Sequence, residues 1–411
     1  MTRKIYWNKL IQQILITFLL LVVVYYGLLF ASYLIPSDLI RSNWQKSVDV
    51  IASEGKRWEV ISNIPGTRLD TFTDNLIFQK LNNSDNLSAI GASVWNNGYF
   101  RYWMGDIPVL RFLLIFTNYT GIRYLNAFII FMLFLLVNIQ IAKKFTTVYA
   151  MLFTFALLTI HFWIFPLSLQ YSPVYIIAMF AILTLIYIDT GEKLTPNVII
   201  LLFFIVGSVT NYFDLLTAPL ITFALPFFIL FLLNNKNGKT IFMDSFIETI
   251  FVGIAWLFGY VFTWISKWLV STIILQENTF KSAINQIFLR TQGSDEEILE
   301  FSAILRRVLT TMFPKYVLAM ILVLFIIWLI LWVKYHKPMR VFIDNSVLLL
   351  MSLVPFVWTF ILQNHNQHHY YFTYRHFIIL LLGIFTYLYL AIDWNRIGNC
   401  EKNDKINTTD N

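Results

Sequence analysis

Two aspartates four residues apart, Asp70 and Asp74, lie in the stretch Thr67-Arg-Leu-Asp-Thr-Phe-Thr-Asp-Asn75. On a helix, residues i and i+4 share a face, so both carboxylates would point the same way. A positioned carboxylate can act as a general base that takes a proton from an attacking hydroxyl. It can equally do no more than start a helix: Asp70 or Thr71 is placed to cap one running on through Asn75-Leu-Ile-Phe-Gln-Lys80. The choice between base and cap depends on which other polar residues come near.

Three further groups carry chemistry. Gly98-Tyr-Phe-Arg-Tyr-Trp-Met-Gly-Asp106 gathers aromatic faces around one Arg and one Asp. Arg101, Tyr102 and Trp103 in this stretch suit a sugar ring, or a loop resting on a bilayer interface. Asn211 and Asp214 sit between two apolar runs. A carboxylate at membrane depth costs about 2.5–3.5 kcal/mol, so Asp214 faces a cavity or a partner unless it lies in a surface turn. The last group runs from His365 to His376 and holds four of the six histidines. His365, His368 and His369 are possible metal ligands, but their spacing matches no strong zinc motif. An interfacial belt of His and Tyr is the plainer reading. Arg375, beside Tyr374, has the forked donors that suit the phosphate or pyrophosphate of a lipid.

The elements that must position these residues are membrane helices. Hydrophobic residues make up 58% of the 411 and charged residues 13%, about half the share of a soluble protein. Several continuous apolar runs approach or exceed the ~18 residues that span a bilayer, and their continuity excludes a barrel. The expected class is all-α, a polytopic bundle of about ten spans forming one integral membrane domain. The formal charge of +7 is spread over loops, where positive-inside bias accounts for it; it forms no basic face and implies no nucleic-acid partner. One cysteine, Cys400 in the polar tail, excludes an internal disulfide.

Span one is expected at residues 10–34, uncleaved, with Arg3, Lys4 and Lys9 holding the N-terminus in the cytoplasm. Residues 36–108 then form a long extracytoplasmic loop that contains the aspartates. Spans two to seven occupy 122–275, with Pro219 and Pro226 suggesting a broken sixth span. Residues 276–315 form a second outer loop. Within it Asp295–Phe313 reads as an amphipathic helix, either capping the bundle or serving lipid access. Spans eight to ten fill 316–392, and 393–411 is a cytoplasmic tail. On this threading every chemistry-bearing group above falls on one side, outside the cell. The Lys- and Asn-rich composition and small loops suggest a bacterial plasma membrane.

The layout resembles the GT-C superfamily of membrane glycosyltransferases. The resemblance rests on a cytoplasmic start, one span, a long outer loop with acidic residues in Leu69-Asp-Thr-Phe-Thr-Asp-Asn75 and the later Arg-Tyr-Trp-Met-Gly stretch, then many spans. It implies transfer of a sugar from a polyprenyl-phosphate donor to an acceptor outside the cytoplasm. In such enzymes an Asp or Glu of the first outer loop serves as base or helps hold a divalent metal, a role that falls here on Asp70 or Asp74. Arg375, with Arg101, would meet the charge growing on the lipid phosphate. Two other classes stay open. A transporter or flippase of a lipid-linked saccharide would hold its critical residues within the spans. A polysaccharide polymerase, ligase or acyltransferase would depend on His368 or His369 and tolerate loss of the aspartates.

Overall fold

Every element follows from where apolar residues can be hidden, and the answer is helices throughout. The computed structural model describes residues 5–82, 88–95, 100–191, 193–292 and 299–397, and among them there is no strand. In chain order the helices are α1 (Trp7–Tyr33), α2 (Ser37–Glu54), α3 (Thr71–Leu81), α4 (Ala89–Trp95), α5 (Asp106–Leu113), α6 (Tyr119–Lys144), α7 (Thr147–Thr159), α8 (Ser172–Thr190), α9 (Pro196–Phe213) and α10 (Leu220–Lys236). The second half adds α11 (Phe242–Leu275), α12 (Thr279–Gln292), α13 (Phe301–Met312), α14 (Lys315–Tyr335), α15 (Met339–Asn345), α16 (Val347–Met351), α17 (Val354–Ile361), α18 (Gln363–Thr373) and α19 (Ile378–Leu390).

Among the described residues, eight helical stretches are long and apolar enough to cross a membrane. Six are single helices: α1, α6, α8, α9, α11 and α14. Two are composite, Met339–Ile361 and Gln363–Leu390. The expected third and sixth spans correspond to α7 and α10, apolar but shorter. Helices α1 and α14 have mean hydropathy 2.7 and 2.9 yet leave Leu19, Val23, Leu322 and Ile330 more than half exposed. Apolar faces left open along whole helices need hydrocarbon around them.

Helix α10 is the axis of the bundle. Every residue from Leu220 to Leu233 is buried, as expected of a helix that is apolar all round. It starts at Pro219 and runs on through Pro226 without a break, where the prolines had suggested one. Helices α9 and α11 cross beside it at backbone contact. A Cβ added at Gly207 would lie 2.0 Å from the Trp256 carbonyl oxygen, and one at Gly259 2.0 Å from that of Phe204. Small residues permit this approach, and a 2.7 Å hydrogen bond between Ser208 and Thr263 hydroxyls ties the crossing.

The polar interval after α1 is no open loop. Helices α2 to α5 enclose a second apolar core, which includes Ile40, Ile77, Phe78, Trp103 and Leu110, and dock it on one end of the bundle. Arg111 of α5 closes this core. Its buried guanidinium donates to the Ser32 carbonyl at 2.9 Å, the Ile35 carbonyl at 2.7 Å and the Leu81 carbonyl. These are the C-terminal ends of α1 and α3, where a cation also suits the helix dipole. The His365–His376 stretch, expected as a loop, is helical too: α18 passes through one 3-10 turn into α19. The amphipathic helix expected at Asp295–Phe313 is present as α13; residues 295–298 of that expectation lie outside the described residues.

Candidate functional site

Asp70 is the cap that its sequence suggested. It accepts from the Thr73 backbone N–H at 3.4 Å and the Thr73 hydroxyl at 2.6 Å, which fixes the first turn of α3. One turn on, Asp74 is fully buried. Its Oδ2 accepts from the Tyr119 hydroxyl at 2.6 Å and the Leu169 N–H at 3.3 Å, while Oδ1 has no hydrogen-bond partner. Burial lifts both carboxyl groups above the ordinary range, Asp74 to about 7.

Asp74 faces inward to a polar cluster that sequence order hides. Asp106, at the start of α5, is buried, and burial holds its carboxyl well above the ordinary range, with the charges of Asp74 and Asp214 adding to the effect. Asp214 follows α9 and accepts from the Leu216 N–H at 2.8 Å and the Thr217 N–H at 2.9 Å; burial raises it to about 6. Gln170 bridges the two sides. Its side-chain oxygen accepts from the Thr217 hydroxyl at 3.1 Å, and its neighbour Leu169 donates to Asp74. The Asp106 Oδ2, Asn211 Oδ1 and Gln170 Nε2 atoms are buried without hydrogen-bond partners. Such atoms are costly to leave bare, and burial favours the protonated form of each carboxyl. The sequence sets Asp106 with the aromatic stretch and gives Gln170 no role; only tertiary contacts bring them to the same cluster as Asp74.

Asp70 borders a different environment, cationic and more open. The exposed Arg57 exerts its charge on Asp70. The guanidinium carbons of Arg57 and Arg68 lie 5.8 and 5.4 Å from the centre of the Tyr371 ring. Arg68 is paired with Glu59. Arg290 of α12 contacts Nδ1 of His365 at 2.7 Å, and the His369 ring stacks on Phe372 with centroids 4.9 Å apart. His368 is exposed on the same helix. Beside this rim a cavity of about 520 Å³ opens between Asn63–Pro65, Arg307 of α13, Tyr316 of α14 and Tyr370 of α18. Tyr316 begins the helix with the most open apolar surface, so the cavity meets the lipid-facing side.

Five expected site residues fall elsewhere. Arg375 is completely buried and is no open phosphate fork. It donates to the carbonyls of Ile160 at 3.2 Å, Tyr371 at 3.3 Å and Gly66 at 3.0 Å, and lies 4.1 Å from the Tyr171 ring centre. The adjacent Tyr374 hydroxyl donates to the same Gly66 carbonyl at 3.1 Å and contacts His161 Nδ1 at 2.9 Å. Together they hold the Gly66 turn, and so the base of the Asp70 stretch, against the bundle. A Cβ at Gly66 would come within 3.0 Å of the His161 ring and the Tyr374 hydroxyl, which explains the glycine. Trp103 is likewise interior, donating to the Thr263 carbonyl at 2.7 Å, and Tyr102 packs on Trp264 with centroids 5.7 Å apart. Arg101 reaches Ser282 at 2.9 Å, and its carbonyl accepts from the indoles of Trp264 and Trp268. This aromatic group anchors the cap to α11; it does not face the Asp70 rim as a sugar platform.

Asp70, Asp74, Asn211, Asp214 and His369 thus collect at one end of the bundle, but in two compartments: a carboxyl-amide interior and an arginine-histidine rim. Among the described residues, no group of three or more His, Cys, Asp or Glu side chains is placed to hold a metal ion. No family model, no curated protein and no solved structure matches the chain.

Proposed function

We propose that the chain is a membrane glycosyltransferase. It moves a sugar from a polyprenyl-phosphate donor to a hydroxyl of an extracytoplasmic acceptor, with Asp70 as general base. The observation that carries this reading is the position of Asp70 between the two compartments. It is buried at the start of α3 under the charge of Arg57, and the turn Asn63–Pro65 that precedes it in the chain lines the cavity open toward lipid. The interior carboxyls act on each other instead: the charges of Asp74 and Asp214 bear on Asp106.

In this reading the donor's lipid lies along α14 and its sugar phosphate enters the rim. Asp70 takes the proton of the acceptor hydroxyl as that oxygen attacks the anomeric carbon. The bond from that carbon to the phosphate oxygen breaks, and the lipid phosphate leaves with both electrons. Arg57 and Arg290, in place of the buried Arg375, meet its growing charge. Burial raises the affinity of Asp70 for a proton, which suits a base that must collect one near neutral pH. Asp74 and its hydrogen bond from Tyr119 position the helix that carries Asp70.

Asp70→Asn separates the two roles of this residue. Asparagine caps a helix as well as aspartate does, so the fold survives while the base is lost. Reconstituted protein offered a panel of radiolabelled polyprenyl-phosphate sugars should release polyprenyl phosphate, and Asp70→Asn should slow this roughly 10²- to 10⁴-fold. Activity that survives Asp70→Asn but fails with His369→Ala would move the chemistry to the histidines and favour a ligase or acyltransferase. Substrate crossing the bilayer unchanged would favour a transporter.

A further inference from the structure

Helix α6 crosses the bundle from Tyr119, which meets Asp74, to Lys144, whose carbonyl accepts from Lys236 of α10. At that far end Asn235 of α10 contacts Asn345 of α15, and cations that lie apart in the sequence meet in the fold. Helix α14 runs out at Tyr335, and the segment after it pairs with the segment after α19 through an antiparallel bridge between His336 and Ile392. Two backbone hydrogen bonds close the bridge, from the Lys337 N–H to the Ala391 carbonyl at 2.9 Å and from the Asp393 N–H to the Tyr335 carbonyl at 2.7 Å. It sets Trp394 and Arg396 beside the segment that holds Lys334, Lys337 and Arg340. Two carboxylates lie among these four cations, and both are engaged. Asp344 pairs with Arg340 at 3.6 Å and accepts from the Phe242 N–H at 3.4 Å, and Asp393 accepts from the Arg396 N–H at 3.3 Å. Lys337 and Arg396 form no ion pair among the described residues. The corner therefore carries an excess of positive charge.

Apolar side chains stand open between these charges. Val333, Met339 and Ile343 are 67%, 71% and 56% exposed. Trp332 packs beside His336 and Phe342, with ring centres 5.7 and 6.4 Å away, and its indole N–H is buried with no hydrogen-bond partner. An indole only donates, so this group needs an acceptor oxygen. An occupant must therefore bring negatively charged oxygens together with hydrocarbon. We propose that this corner docks an anionic phospholipid of the surrounding bilayer, its phosphate held by Lys337, Arg340 and Arg396. The acyl chains follow the open face of α14 past Val333 and Ile330. Lys and Arg side chains at a membrane surface attract anionic headgroups, and a cluster of them selects net charge, which a zwitterionic lipid lacks. The patch stands apart from the Asp70 site and does not depend on the transferase reading.

Full-length protein is placed in nanodiscs holding equal parts of phosphatidylglycerol and phosphatidylcholine. The lipids that stay bound after extraction are then counted by native mass spectrometry. Wild type should retain phosphatidylglycerol over phosphatidylcholine by about fivefold or more, the worth of one cation at a membrane surface. Lys337→Gln, Arg340→Gln and Arg396→Gln together should bring that ratio near one. Removing three exposed lysines elsewhere at the same end, by Lys143→Gln, Lys193→Gln and Lys239→Gln, should leave it in place. Equal retention of the two lipids by wild type overturns the proposal, as does a preference that outlasts the patch substitutions. A preference that the control substitutions remove as fully overturns it too, since the whole basic end would then attract anionic lipid without a site. A phosphatidylglycerol with a diazirine on its headgroup gives a reading that needs no variant. In wild type it should label residues 334–340 and 394–397 ahead of the turns after α6, α8 and α10; label on those turns instead overturns the proposal.

Discussion

Replacing Arg375 by alanine should damage the fold well before it touches any chemistry. The guanidinium serves three carbonyls, those of Ile160, Tyr371 and Gly66, and lies over the Tyr171 ring at 4.1 Å. A hydrogen bond from a charged donor contributes about 1.5–3 kcal/mol, and a desolvated cation–π contact about 2 kcal/mol. Three bonds and one ring contact would give more than 6 kcal/mol if additive; neighbours sharing one group are not additive, so a loss of about 4 kcal/mol is expected. That is a large part of the 5–15 kcal/mol that holds a typical domain together. For a chain of 411 residues it corresponds to a fall in melting temperature of about 5 °C. The assay is thermal unfolding of purified Arg375→Ala in detergent, followed by intrinsic tryptophan fluorescence. Arg375→Lys should recover only part of the loss, because an ammonium cannot reproduce the planar fork. A variant that melts like wild type yet no longer binds lipid phosphate would refute this reasoning and return Arg375 to the role its sequence context suggested.

Other outcomes follow from the same geometry. Asp74 takes up its proton near pH 7 in the fold, against about 4 in the unfolded chain, so the native state holds more protons between these values. Stability should therefore fall as pH rises from about 4 to about 7, and Asp74→Asn should flatten that slope in pH-dependent unfolding. Gly207→Ala or Gly259→Ala forces a methyl group into backbone and should destabilise by about 1–3 kcal/mol, seen as a lower melting temperature. Arg57→Ala should reduce transfer by a factor of ten or more with melting unchanged, because Arg57 is exposed and lies at the rim.

The membrane helices were visible in the sequence because an apolar run of spanning length has few alternatives. What hides inside the bundle was not. Helices α10 and α14 read alike by composition, but one is entirely buried and the other faces outward, a difference set by neighbours distant in sequence. Polar stretches read as open loops, since hydrophilic residues ordinarily seek water. Here α18 takes His365 and Asn366 into the interior, where the Leu216 carbonyl and Arg290 serve His365. The acidic cap at Asp70 was legible from local spacing. Its surroundings were not: Arg57 arrives from the turn after α2 and Tyr371 from α18, while Asp74 acts on Asp106 of α5 and accepts from the Leu169 N–H. Arg375 reads as an open phosphate fork for a related reason: the carbonyls that satisfy it include two, from Ile160 and Gly66, that are remote in the chain.

The account stands most directly on one comparison: release of polyprenyl phosphate by wild type and Asp70→Asn in the same nanodiscs, with melting temperatures measured alongside. Equal melting with at least a hundredfold loss of turnover is the predicted result. Equal melting with undiminished turnover would contradict it.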